Sequence, residues 1–295
     1  MRKQFVLTIE RLISDDENLA ILLGDIGVFG FRNVFQKYPE RIYNIGICEQ
    51  AMTSIAAGMA KEGLHPVMHS IAPFVIERCF EQLKIDVGFQ KHPVNIVSVG
   101  ASYDYAALGS THHCPGDVAL VKTINGINII VPGSDKDFDL LFSDIYKGPT
   151  ANYFRLTEKG HSLDFSVTFG KANLIKSGKK GIVIAIGPML ERVITACLNL
   201  DVSILYYTTL EPFDSAMLIK CFVNSKVAVV EPFYEGTMSY DIHSALKGHS
   251  INLLSIGVPR KFLSKYGVAS EQDILCGLDT QSIKSKLEIF FGNEK

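Results

Sequence analysis

Asn44-Ile45-Gly46-Ile47-Cys48-Glu49-Gln50, running directly into residues 51–63, is a short apolar strand that turns at a glycine into an apolar helix rich in small residues. Glu49 stands at the junction among Ile47, Cys48, Met52 and Ile55, with no cation near it in sequence. A charge is costly in such a place, so the group either takes up a proton or holds a specific partner. The plainer reading is a helix-start acid that meets the exposed N–H groups and the dipole. Position alone favours the plainer one.

The same strand-then-helix unit recurs on both sides. Short apolar runs bounded by Gly, Pro or Asp occupy 18–23, 42–45, 66–69, 94–99, 127–131 and 151–156, and helical segments are predicted at 48–62, 74–89, 117–125 and 135–146. A stripe of Phe5, Ile9, Leu12 and Ile13 adds a helix over 3–14. Runs of β-branched residues without strict alternation belong to strands covered on both faces. Alternation with helices makes the fold α/β, with mainly parallel sheets flanked by helices. The pattern weakens over 161–180, read as a linker, and a second alternation follows. Its strands are expected at 182–186, 202–206, 227–230 and 251–255, its helices at 189–200, 213–222 and 237–247. Asp279 caps a last amphipathic helix carrying Ile283, Leu287 and Phe290. The expected domains are therefore 1–160 and 181–295.

Bulk composition narrows the class. A chain of 295 residues, 47% hydrophobic and 20% charged, supports two cored domains. A net charge of -2 with no basic run argues against a nucleic-acid or anionic-membrane surface. No apolar stretch approaches the ~20 residues that span a bilayer, and the first residues break into charges too soon for a secretory leader. Six cysteines without a C-x-x-C pair argue against a zinc site or disulfide framework and suit a reduced, cytoplasmic protein. Neither G-x-G-x-x-G nor a P-loop occurs.

Three further stretches carry candidate chemistry. The loop Ser102–His113 follows a buried-type strand, where α/β proteins bind ligands. His112 and His113 there suit proton shuttles or anion contacts, while adjacent positions make poor metal ligands; solvated loop histidines are the alternative. His69 ends a strand ahead of Phe74, which is either core or a stacking platform. Arg155 closes another apolar strand as an anion contact or as a surface ion pair.

In this order the pieces resemble the pyrimidine-binding domain and C-terminal domain of transketolases and 1-deoxyxylulose-5-phosphate synthases, over about residues 3–290. The carrying stretches are Arg41-Ile-Tyr-Asn-Ile-Gly-Ile-Cys-Glu-Gln50, Gly63-Leu-His-Pro-Val-Met-His-Ser70, Arg78-Cys-Phe-Glu-Gln82 and Leu108-Gly-Ser-Thr-His-His113. Gly148-Pro-Thr-Ala151, Gly187-Pro-Met189 and Thr209-Leu-Glu-Pro-Phe-Asp214 support them. The chain looks most like the C-terminal subunit of a split transketolase.

The resemblance implies thiamine diphosphate with Mg²⁺ as cofactor and transfer of a two-carbon ketol unit between sugars or sugar phosphates. It places Glu49 on the ring nitrogen N1′ of the aminopyrimidine and Phe74 against the ring, with Val75 competing for that slot. Ile47 and Arg78 fall at the cofactor. His112, His113, Tyr103 and Arg155 fall on the substrate side, and His69 near cofactor or substrate hydroxyls. Two departures stand out. Leu108 occupies the position of a common transketolase aspartate, and nothing matches the G-D-G…N element that holds diphosphate and metal. A partner N-terminal transketolase-like subunit is expected to supply it in an α2β2-like assembly. The rivals are a 2-oxoacid dehydrogenase first-component β subunit, a 1-deoxyxylulose-5-phosphate synthase-like enzyme and a non-catalytic homologue.

Overall fold

The computed structural model describes residues 1–292. Among the described residues twelve strands form two sheets. The first contains β1 (Leu19–Leu23), β2 (Ile42–Asn44), β3 (His65–Ile71), β4 (Asn95–Val99), β5 (Ile127–Ile130) and β6 (Ala151–Arg155). The second contains β7 (Asn173–Lys176), β8 (Ile182–Ile186), β9 (Ser203–Tyr207), β11 (Lys226–Tyr234) and β12 (Asn252–Val258). The remaining strand, β10 (Thr209–Glu211), leaves the second half and joins the first sheet, giving the order β10-β5-β6-β4-β3-β1-β2. The second sheet runs β12-β11-β8-β9-β7.

All pairs are parallel except β10 on β5 and β7 on β9, both at sheet edges. Every residue of β1, β4, β6, β8 and β9 is buried, as strands sandwiched between helix layers must be. The two edge strands were not anticipated. They are three and four residues long, and β7 lies inside the stretch read as a linker. Two helices, Arg32–Lys37 and Ala269–Cys276, were also unforeseen.

Two helix layers cover the first sheet. Helices Arg2–Asp15 and Asp135–Ile145 bury Phe5, Phe138 and Phe142 against Phe154 of β6. On the other face, helix Glu49–Lys61 turns Met52, Ala56, Ala57 and Ala60 inward, and the small side chains let its backbone lie close to the strands. Residues 74–89 do not form the single helix expected. Pro73–Glu77 and Leu83–Phe89 are wide, π-type turns flanking a short helical piece at Phe80–Gln82. Such turns are rare and interrupt the usual 3.6-residue phase. Asp279 caps the last helix as expected, accepting from the N–H groups of Gln281 and Ser282. No helix among the described residues is long and apolar enough to cross a membrane.

Register sets the chemistry of the first sheet. His69, Val97 and Phe154 form one cross-strand row, and Ser70, Ser98 and Arg155 form the next. Adjacent strand residues point to opposite faces. The first row therefore joins the Phe5 layer, and the second faces helix Glu49–Lys61.

Candidate active site

Glu49 is the first residue of its helix and has no exposed surface. The loop that delivers it is pinned by Asn44, whose side-chain oxygen accepts from the N–H groups of Asp25 and Gly46. Gly46 adopts φ 78°, a turn that a side chain would strain. The carboxylate is fully engaged. The Ser70 hydroxyl donates to Oε1 at 3.0 Å, and the Arg78 guanidinium donates Nη1 to Oε2 at 2.6 Å. A Cβ on Gly24 would lie 3.2 Å from Oε1, so the β1 end must be bare to let the acid in. The absence of a cation near Glu49 in sequence is thus made good from 29 residues away.

Phe74, half-buried, stacks on the cation of this pair, with the Arg78 guanidinium carbon 4.2 Å from its ring centroid. The wide turn Pro73–Glu77, closed by Arg78 N–H donating to Pro73 O at 3.0 Å, brings residues four and five apart nearly into line. Val75, the competing position, is fully buried in the core. His112 meets Phe74 edge to face at 5.3 Å, and Tyr105 meets His112 at 6.5 Å. His112 Nδ1 lies 3.0 Å from the Thr111 hydroxyl, which itself donates to Leu108 O at 3.4 Å. Among the described residues His112 Nε2 has no hydrogen-bond partner. Glu49, Ser70, Arg78, Phe74, His112 and Tyr105 therefore form one cluster.

Five other candidates take no part in these contacts. Ile47 is 69% exposed on the loop before Glu49. Arg155, expected at substrate, has no exposed surface: Nε donates to Asp117 at 2.7 Å, and Nη2 to Ser102 Oγ at 2.7 Å and Pro232 O at 3.2 Å. Tyr103 donates to Asp273 at 2.9 Å. It lines a separate cavity of about 420 Å³, with Asp104, Met189, Arg192 and Leu278, between the two sheets. His113 is buried with neither ring nitrogen partnered, and burial lowers its pKa, with His112 adding to the effect.

His69 lies on the opposite face from Glu49, against Phe5 at 4.8 Å, with Gly27 over its edge. Its ring is therefore not part of the Glu49 cluster. Nδ1 donates to Val97 O at 2.8 Å, Nε2 has no partner, and burial pushes the imidazole down from 6.5 to about 4. The folded chain therefore holds this ring neutral while the unfolded chain takes a proton below about 6.5. The stability contributed is complete above 6.5 and is lost as pH falls from there through about 4, amounting to on the order of 3 kcal/mol. His69→Met, which loses the Val97 bond, should be the less stable protein at pH 7. In urea melts its deficit should shrink as pH falls from 6.5 to 4; a constant deficit would mean that the ring is not held neutral.

Ser70 and Asp117 were not singled out from sequence, although Ser70 follows His69 directly and by strand alternation had to face the other way. Among the described residues no three His, Cys, Asp or Glu side chains gather to hold a metal ion.

The family described as transketolase, pyrimidine binding domain, matches residues 1–160. An uncharacterized 33.6 kDa protein in the fasciation locus of Rhodococcoides fascians is 33% identical over 292 residues, covering 98% of this chain and 94% of that protein. One of the subunits of the apulose-4-phosphate transketolase of Phocaeicola vulgatus is 26% identical, covering 97% and 96%. A solved structure described as a split gene transketolase, inactive beta4 tetramer, superposes with a TM-score of 0.87 at 20% identity, over 100% of this chain and 98% of that one. With its first 160 residues matched and a relative alike over nearly the full length of both chains, the chain belongs to the transketolase family.

Proposed function

We propose that this chain is the pyrimidine-holding half of a thiamine-diphosphate-dependent enzyme that moves a two-carbon ketol unit between sugars or sugar phosphates. The observation that carries the reading is Glu49, a carboxylate sealed at a strand–helix junction and linked through Arg78 to the half-buried ring of Phe74. These residues fit an aminopyrimidine. Its ring nitrogen needs one oxygen acceptor in a dry niche, and its face needs an aromatic neighbour. The cofactor, when bound, supplies a carbon nucleophile that carries the two-carbon fragment. The chain's own part is to hold a proton at the ring nitrogen through Glu49 Oε2 and to exclude water from that oxygen. His112, with Nε2 free, is assigned to a substrate hydroxyl or carbonyl.

A partner N-terminal transketolase-like subunit is assigned the diphosphate and Mg²⁺, in an α2β2-like assembly. Two likenesses support this division. The Phocaeicola vulgatus relative, named as one subunit of a transketolase, matches the chain nearly end to end. The structural neighbour is described as an inactive tetramer of β chains. The name of the first also supports a sugar-phosphate substrate. The test is reconstitution. The purified chain alone should neither bind thiamine diphosphate tightly nor cleave xylulose 5-phosphate, and addition of an N-terminal subunit should restore transfer to an aldehyde acceptor. Tight binding with turnover by the single chain would sink the split reading. Decarboxylation of a 2-oxoacid by the pair, without ketol transfer, would place the chain with dehydrogenase β subunits instead.

A further inference from the structure

Arg78 makes both contacts that an aminopyrimidine would need. Its guanidinium lies over the Phe74 ring at 4.2 Å and donates to Glu49 Oε2 at 2.6 Å. The group is planar and delocalised, with N–H donors fixed in its plane, and so is a protonated aminopyrimidine. We propose that Arg78 is an internal stand-in for the cofactor ring, closing the Glu49 site until a ring displaces it. This rests on the role proposed for Glu49 and Phe74.

The two carboxylate oxygens differ in what they can release. Oε1 is held by Ser70, a fully buried side chain on the interior strand β3. Oε2 is held by a side chain that is 33% exposed and starts from an irregular turn. Among the described residues Glu49 is the only hydrogen-bond partner of that guanidinium. Once it leaves, its donors pass to water rather than to another protein group. The exchangeable position is therefore Oε2, and the same movement uncovers the face of Phe74. Solvated Arg78 and a seated ring go together, because guanidinium and ring exclude each other from one place.

A ring that must first displace a charged hydrogen bond and a cation–π contact binds more weakly by the worth of those contacts. That makes the closed chain about tenfold to a hundredfold weaker for the ring than an open one. A wild-type chain left without its partner keeps its acid covered. Binding of the diphosphate by the partner would supply what the ring alone lacks to open the site.

The decisive measurement is calorimetric or NMR titration of the purified chain with thiamine, which carries the ring without the diphosphate. Arg78→Ala should bind thiamine at least tenfold more tightly than the wild type. Arg78→Gln keeps a planar donor without the charge and should fall between them. Circular dichroism and thermal melting establish that each variant is folded; if Arg78→Ala fails to fold, Arg78→Gln alone must show the gain. Binding by the folded variants no tighter than by the wild type, including no detectable binding to any of them, overturns the stand-in. That failure is separable from failure of the ring site itself, because only full activity of Glu49→Gln in the assembled enzyme removes the latter.

Discussion

Glu49→Gln lowers turnover of the assembled two-subunit enzyme by on the order of a hundredfold or more, the expected consequence of removing a positioned proton-holding group. The amide has the same shape and its oxygen still accepts from Ser70, so the fold and the helix start should persist. What it cannot do is share a proton with a ring nitrogen. Its –NH₂ also faces Arg78 donor to donor, so the guanidinium loses its partner. Steady-state kinetics of the reconstituted pair decide the matter, with thermal melting to show that the variant is folded. Turnover within a few-fold of wild type would refute Glu49 as the ring's partner.

Arg155→Met is expected to destabilise the fold by about 3–5 kcal/mol, the usual cost of stripping one member from a buried ion pair. Arg155 and Asp117 both have no exposed surface, and Asp117 keeps the Tyr153 hydroxyl at 2.7 Å as its remaining donor. The loss should therefore come mainly from a stranded carboxylate and less from missing contacts. A double variant tests that attribution. Arg155→Met with Asp117→Leu should regain a large share of the stability, because neither charge remains to be desolvated. Denaturant unfolding of the two variants against wild type reads it directly. A loss under about 1 kcal/mol for the single variant, or no recovery in the double, would count against a buried-pair role.

Much of the fold was legible because its signal is local. Parallel strands buried on both faces leave continuous apolar runs, and the runs at 18–23, 94–99 and 182–186 locate β1, β4 and β8 to within a residue. The edge strands β7 and β10 left no such run, since an antiparallel edge needs one covered face and few residues. The breaks within 74–89 have no marker in the sequence, where the apolar residues suit a helix or a wider turn alike.

Position in the chain was a poorer guide to the site. Glu49 stood out because an acid among apolar neighbours is anomalous on its face. His69 was put beside it from its place at a strand end, yet its neighbour Ser70 is the residue on that face, as the period of two requires. Arg155 ended a strand like a ligand contact, but its partners are 38, 53 and 77 residues away and no local pattern announces them. Burial of a polar group is a property of the assembled molecule. It becomes readable only once the pairings are known.

The crossing of β10 into the first sheet bears on how the protein can be divided. Ile129 and Ile130 are mated by Thr209 and Glu211, and Val131 N–H donates to Thr208 O at 2.7 Å. A chain stopped after residue 160 would lack that cover and would leave the β5 backbone as an open template for other strands. It would also lose Pro232 O, to which the buried guanidinium donates. Cutting at the family boundary therefore removes contacts that the second half supplies to the first sheet.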